Sequence, residues 1–434
     1  MIRPPPAETR RLRAALTEEL AIRSPRSNAR RLGAGARNIA LSLSVLALLG
    51  IASEIALRLC YVPENLGTVI RFDPRLGWSL RPDARLRSVD HQRGLDYRIR
   101  INSMGLRERE FELSREHGGR RFLFLGDSVT FGDGVEQGWR FSDFLGRALG
   151  DGARVINAGV PGWGNDQELL FFEAVRERIR PNLVILTLTL SNDVVNNMLD
   201  HLFLSSAPKP RFVLEGDSLA LTDTDFHAPV VPNVTRIRRW LKKSRFVLFV
   251  KRRLDRARYA HMARRSMAPL PRGFSKKSFE ENYSHWSVYR RAYDPEMAEA
   301  WRVTEAILLR LSRECHDIGA EFIVFAFPLR VEVDDAWRKE MIRRAGIDAD
   351  LIDVRRPYAR LEAFCRRSGI EFVYPLEDFR EGLARRYLYF DRDNHPNRFG
   401  HALAARVLAR ELQRRYHLEI HFAETGTEVR GGPQ

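Results

Sequence analysis

The segment LVILTLTL, residues 183–190, sets the strongest limit on the fold. It carries no charge, it is rich in β-branched and leucine side chains, and both faces of the strand it would form are largely apolar. Such a strand needs cover on both sides, which a parallel sheet between two helical layers supplies. Four further runs have strand character: RFLFLG (121–126), ARVINAG (153–159), EFIVFAF (321–327) and IEFVYP (370–375). Between and after them, residues 138–149, 166–179, 296–318, 355–368 and 395–416 carry helical periodicity, with Asp166 available at the start of its helix. Strand alternating with helix predicts an α/β fold with a mostly parallel sheet. Sites in such sheets lie at the carboxyl ends of the strands.

Four short polar segments stand at element boundaries. They are GDSVTFG (126–132), NAGVPGWG (157–164), SND (191–193) and DRDNHPN (391–397). The first three follow strands, so their loops face one sheet edge. Acyl transfer needs a nucleophile, a base, an orienter for the base and donors for the developing oxyanion. Ser128 supplies a nucleophile, and His395 a base that later protonates the leaving alkoxide. The backbone N–H groups of Ser128 and Gly162, with the side-chain amide of Asn192, supply oxyanion donors. Gly162 suits because a backbone without Cβ approaches a ligand closely.

In these four segments, in this order, the chain resembles the SGNH, or GDSL, hydrolase family over roughly residues 120–417. The resemblance implies a flavodoxin-like three-layer α/β/α sandwich, Ser128 as nucleophile, Gly162 and Asn192 as oxyanion residues and His395 as base. Ser128 lies in G-D-S-V-T, not G-x-S-x-G, so the nucleophile elbow of the α/β-hydrolase fold is absent. One departure stands out. The commonest pattern of the family has an aspartate three residues before the histidine, where this chain has Arg392; Asp393 is two before and Asp391 four before. In an extended segment Asp393 would not fold back onto the ring, whereas in a turn entering a helix it does. Asp393 is the expected orienter, Asp391 its alternative, and a dyad oriented by a backbone carbonyl a third arrangement. His401 is expected to be an ordinary helix residue. No second His/Asp cluster accompanies residues 391–395, and no Lys-Ser/Thr follows Gly159, Gly162 and Gly164, so neither metal nor cofactor is expected.

The net charge of +16 is uneven. Residues 1–38 hold +6 and residues 236–277 hold +15, which leaves the remainder at −5. Residues 39–62 are apolar, with Glu54 and Arg58 near one end, and nine arginines precede them. This predicts a basic cytoplasmic tail (1–38), a transmembrane anchor (39–62) and an exported remainder. A signal peptide cleaved after Ala52 is the alternative. Residues 63–118 read as a connecting region, with a small strand at 97–101 and no recognisable chemistry. The hydrolase domain spans 119–417, interrupted by a basic insertion at about 205–295, and 418–434 form a C-terminal tail. In the insertion, 211–222 read as a hairpin turning at Gly216-Asp217. Residues 236–265 carry a ragged apolar stripe (Ile237, Trp240, Leu241, Val247, Leu248, Leu254) among many cations. That stripe suits a helix packed on the body or a foot on an anionic surface. Cys60, Cys315 and Cys365 form no disulfide or zinc pattern.

These features predict a single-pass inner-membrane protein with a periplasmic serine esterase or acyltransferase, and the family resemblance implies action on O-acyl groups of an envelope carbohydrate. A lysophospholipase or thioesterase is the enzymatic alternative, and a non-catalytic glycan-binding envelope protein the alternative of another class. The expected partners are an acylated small molecule or polysaccharide and the membrane, through 39–62 and the basic segment 236–265. Nucleic acid is not expected of an exported chain, and the sequence leaves open a membrane partner that donates acyl groups.

Overall fold

The computed structural model describes residues 25–60, 69–90, 93–112, 119–150, 153–202, 207–222, 224, 244–266 and 284–422. The chain divides into two compact units, residues 1–61 with 240–249, and residues 62–239 with 250–434.

The larger unit opens with two antiparallel hairpins, β1 (Ile70–Asp73) with β2 (Gly77–Leu80), and β3 (Arg85–Asp90) with β4 (Leu95–Arg100). The central sheet then takes β5 (Arg120–Gly126), β6 (Ala153–Asn157) and β7 (Leu183–Leu188). The hairpin β8 (Arg211–Glu215) and β9 (Ser218–Thr222) intervenes, turning where the sequence places its glycine. The sheet is completed by β10 (Glu321–Ala326) and β11 (Glu371–Val373). All its pairings are parallel, in the order β11-β10-β7-β5-β6. Counted among themselves these strands run 2-1-3-4-5, the flavodoxin-like doubly wound order.

Every residue of β7 is buried, as its composition demands. One helical layer joins Phe141–Leu149, Leu376–Arg385 and Arg398–Tyr416; the other joins Asn165–Ile179 and Pro295–Asp317. The molecule is therefore the three-layer α/β/α sandwich expected. Burial of each large aliphatic side chain on the two sheet faces contributes about 1.5–3 kcal/mol.

Some boundaries differ from the sequence expectation. The third strand ends at Leu188, and the SND segment lies in a short helix, Leu190–Asn196. The cause is local: Thr189 N–H donates to Asp193 Oδ2 at 2.7 Å, which folds the chain back at once. The last strand stops at Val373, ahead of Pro375, which has no N–H to give a ladder. Helix Asn165–Ile179 starts from Gly164 and not from Asp166. The Asp166 carboxylate is fully buried and paired with the ammonium of Lys209. Desolvation makes a lone buried carboxylate costly, so Asp166 takes the one buried lysine close to it instead of capping its own helix.

In the smaller unit a helix runs from Pro25 to Cys60. Its 24-residue part Arg37–Cys60 is long and apolar enough to cross a membrane. Residues 61 and 62 of the expected span lie outside the described residues. Near the end of this helix Glu54 accepts hydrogen bonds from Ser244 Oγ (2.7 Å), Arg245 N (3.1 Å) and Phe246 N (3.0 Å). It thereby satisfies the first free N–H groups of the basic helix Arg245–Ser266. Ile237, Trp240 and Leu241 lie outside the described residues. Within the helix Phe246, Val250 and Leu254 are exposed at intervals of four, so they share one face.

Candidate active site

Strand β5 delivers Ser128. Gly126 closes the strand with φ +152°, and a Cβ there would meet Thr130 Oγ1 at 2.2 Å and the Thr187 carbonyl oxygen at 3.0 Å. Only glycine leaves the chain room to turn at this point. Asp127 follows as N-cap of the short helix Ser128–Phe131, its Oδ1 accepting from Val129 N at 2.9 Å. Ser128 is thus presented at the carboxyl edge of the sheet.

Ser128 Oγ lies 2.8 Å from His395 Nε2, and His395 Nδ1 lies 3.0 Å from Asp393 Oδ1. Ser128 and His395 stand 267 positions apart in the chain. Asp393 reaches its neighbour's ring because residues 390–395 form a closed turn and not an extended segment. Phe390 N donates to the His395 carbonyl at 3.1 Å, and Asp393 N to the Phe390 carbonyl at 3.3 Å. The Asp393 Oδ1 also accepts from Asn394 N at 2.7 Å. Asp391, by contrast, points to solvent with its side chain 89% exposed, near the exposed Arg392. The geometry therefore puts Asp393 on the ring and leaves Asp391 outside the site.

Asn192 Nδ2 donates to Asp127 Oδ2 at 2.9 Å, which uses one of its two amide hydrogens. Thr189 Oγ1 reaches the other oxygen of Asp127 at 3.2 Å. Gly162 lies in the loop after β6, with φ +81° and space that a Cβ would take from Leu202. That loop is fastened to β5, since Val160 N donates to the Gly126 carbonyl at 3.0 Å. Among the described residues the backbone N–H groups of Ser128 and Gly162 make no hydrogen bond, as donors awaiting a ligand oxygen must.

The electrostatics pair an ionised carboxylate with a ring made more basic than usual. Burial opposes ionisation of Asp393, but the His395 ring and the Arg93 guanidinium outweigh it and hold the carboxyl far below the usual range. An ionised carboxylate only accepts, so Nδ1 carries the ring hydrogen and Nε2 turns its lone pair to the Ser128 hydroxyl. Burial likewise opposes charge on His395, yet Asp393 outweighs it and the ring's pKa is raised above 6.5. Asp127 behaves differently: burial raises its pKa despite its hydrogen bonds from Val129, Asn192 and Thr189. His401 is fully buried, stacked on Phe141 and pushed down to about 3 by burial, so it serves packing and not proton transfer.

Sequence reasoning missed the contribution of residues 63–118. Arg93 Nε donates to Asp393 Oδ2 at 2.5 Å, and Arg93 Nη2 to Asp133 Oδ2 at 2.8 Å. Arg107, fully buried, donates to the carbonyls of Phe131 (2.9 Å), Gly132 (2.8 Å) and Val135 (2.7 Å) and so fixes the chain leaving the Ser128 helix. Trp78 Nε1 donates to the Pro161 carbonyl, and Trp163 Nε1 to the Trp78 carbonyl, which clamps the Gly162 loop. Nothing local in the sequence marks these arginines: Arg93 lies in the turn between β3 and β4, and Arg107 in the irregular segment after β4.

Asn192→Ala is expected to lower kcat for an ester by about 10²–10³-fold with little change in KM, because the amide is needed where charge develops. Steady-state kinetics on a nitrophenyl ester reads this directly.

No family model matches the chain, and no curated protein matches it. Solved structures with a similar arrangement include a GDSL-like lipase from Bacteroides thetaiotaomicron, at 13% identity over 69% of this chain and 90% of that one, TM-score 0.32. A member of the lipolytic G-D-S-L family from Veillonella parvula matches at 13% identity over 68% and 100%, TM-score 0.34. An acetylxylan esterase from Geobacillus stearothermophilus matches at 16% identity over 68% and 94%, TM-score 0.31. At such identities the chemistry has to come from the atoms of the site itself.

Proposed function

We propose that this chain is a membrane-anchored serine esterase or acyltransferase of the SGNH type, which removes or transfers O-acyl groups on a cell-envelope carbohydrate. The observation that carries the reading is the continuous relay Ser128 Oγ–His395 Nε2 at 2.8 Å and His395 Nδ1–Asp393 Oδ1 at 3.0 Å. His395 Nε2 takes the hydroxyl proton as Ser128 Oγ attacks the ester carbonyl carbon. The N–H groups of Ser128 and Gly162 and the amide of Asn192 receive the oxyanion. Collapse breaks the bond to the alkoxide, which takes the proton from Nε2 and departs as the alcohol, while the acyl group stays bonded to Ser128 Oγ. Water or a sugar hydroxyl then gives its proton to Nε2, attacks the acyl carbon and frees Ser128 Oγ, which recovers that proton.

The carbohydrate assignment rests on the motif resemblance and on an anchored, exported site facing the envelope. The apolar helix ending at Cys60 with nine arginines before it supports a cytoplasmic N-terminus and a periplasmic catalytic domain. The exposed Phe246, Val250 and Leu254 stripe on a basic helix supports a second contact with an anionic membrane surface.

The test is to expose the full-length chain in detergent to native envelope extract, quench it, and weigh the proteolytic peptide bearing Ser128. A short acyl mass, together with release of the same acid from acylated polysaccharide, is the expected result. A long acyl chain would move the substrate to a lysophospholipid or thioester. An unmodified Ser128, with no ester hydrolysis on any probe, would leave a glycan-binding role and overturn the enzymatic reading.

A further inference from the structure

The connecting hairpin between β3 and β4 sends one side chain into the site. We propose that Arg93 is a positioning residue of the relay: its guanidinium pins the Asp393 carboxylate against His395 and offsets the charge of Asp133, so that the ring stays neutral when it must accept the Ser128 proton. This inference rests on the esterase reading above and assigns a part within it.

The geometry is that of a fork serving two carboxylates. Nε and Nη2 of Arg93 both engage Asp393 Oδ2, and Nη2 also binds Asp133 Oδ2 at 2.8 Å. The same Nη2 stands 3.2 Å from His395 Nδ1. Both atoms present hydrogens when Nδ1 donates to Asp393, so Arg93 acts on the ring as a charge and not as a bonding partner. Its side chain is 18% exposed, and those of Asp133 and Asp393 are 6% and 11% exposed, so water screens the cluster weakly. Asp133 is held in turn by the Tyr97 hydroxyl on β4 and belongs to the segment that follows the nucleophile helix. The Arg93 hairpin, the Ser128 strand and the His395 turn thus share one cation.

The ionisable groups facing the imidazole are Asp393, Asp133 and Asp127, against Arg93 and the buried His401. Three carboxyl groups would favour the imidazolium, which cannot act as base. Arg93 is the permanent positive charge among them, and its field works against protonation of His395 while that of Asp133 works for it. Burial would push Asp133 up, but Arg93 holds it below the ordinary range, so Asp133 stays ionised. Loss of Arg93 therefore leaves two close carboxylates on one ring and raises the pKa of that ring further. Activity carried by neutral His395 appears as pH rises through this pKa, so the acid limb of kcat/KM must move to higher pH.

The experiment uses the full-length chain in detergent, with para-nitrophenyl acetate as probe, and compares wild type with Arg93→Gln, Arg93→Lys and Asp133→Asn. In Arg93→Gln the acid limb is expected to move up by about one pH unit, which costs about fivefold at the wild-type midpoint, approaches about tenfold below it and recovers in alkali. Arg93→Lys restores the charge and returns the limb, though its single ammonium holds Asp393 less firmly and lowers the plateau. Asp133→Asn moves the limb the other way. A second readout needs no turnover: the His395 ring signal, assigned by its loss in His395→Gln, is titrated by NMR in Ser128→Ala protein with and without Arg93→Gln. A uniform loss of rate with unmoved limb and unmoved titration would overturn the proposal and leave Arg93 a packing residue. Absence of Ser128-dependent turnover in wild type would instead defeat the esterase reading, while the titration still reports the charge balance at the ring. If Arg93→Gln fails to fold, a limb that does not fall in Asp133→Asn overturns the proposal equally.

Discussion

Ser128→Ala is expected to abolish ester hydrolysis, lowering kcat by about 10⁴–10⁶-fold while substrate still binds. The reason is geometric. Ser128 Oγ is the atom set 2.8 Å from the base at the edge of the sheet, and no second hydroxyl is held by His395 among the described residues. The alanine fits the same N-capped turn, because Asp127 caps the helix through Val129 N and not through Ser128. Loss of activity is therefore chemical and not a failure to fold, and an unchanged melting temperature should accompany it. His395→Ala should cost a similar factor, and the double variant no more than either single one, because the two side chains act as one unit. Equal hydrolysis by wild type and Ser128→Ala would place the activity elsewhere.

The second large effect concerns the two aspartates that flank Arg392. Asp393→Asn is expected to lower kcat by about 10⁴-fold, while Asp391→Asn leaves it within about twofold of wild type. An asparagine at 393 offers an amide N–H as readily as an oxygen to Nδ1. The ring then takes the tautomer whose Nε2 carries hydrogen, and it can no longer accept the serine proton. The same change leaves Arg93 with one carboxylate fewer, so fold stability should fall as well. Asp391 touches nothing in the site and extends into solvent. Kinetics of the two single variants, side by side, separates them; comparable losses would mean that the turn at 390–395 is organised differently in solution.

Much of this was legible in the chain. Continuous apolar runs such as β7 locate buried strands once their shortness and β-branched content set them apart from buried helix segments. Gly126-Asp127-Ser128 and His395 then fall at the ends of elements that one sheet edge gathers. Spacing alone did not settle the aspartate, since a two-residue separation excludes contact in one backbone conformation and allows it in another. The turn that closes 390 to 395 is what decides.

The cations were not legible. The chain holds 72 lysines and arginines, and nothing local distinguishes Arg93, Arg107 or Lys209 from the many that face water. Their partners lie far off in sequence: Arg93 and Asp393 are 300 positions apart, and Lys209 and Asp166 are 43 apart, with β7 and the helix Leu190–Asn196 between them. A buried cation is recognised by what surrounds it, and that appears only when the chain has folded. The connecting region was judged empty of chemistry for the same reason.

One carboxylate joins the two halves of the proposed acyl machinery. Asp127 gives one oxygen to the first turn of the nucleophile helix and the other to the amide of Asn192. The attacking atom and the anion cradle are thereby hung from a single peg, so neither can drift without dragging the other. Thermal wander in the rim displaces both together and preserves the interval between them, which is the one dimension the tetrahedral intermediate must find already set.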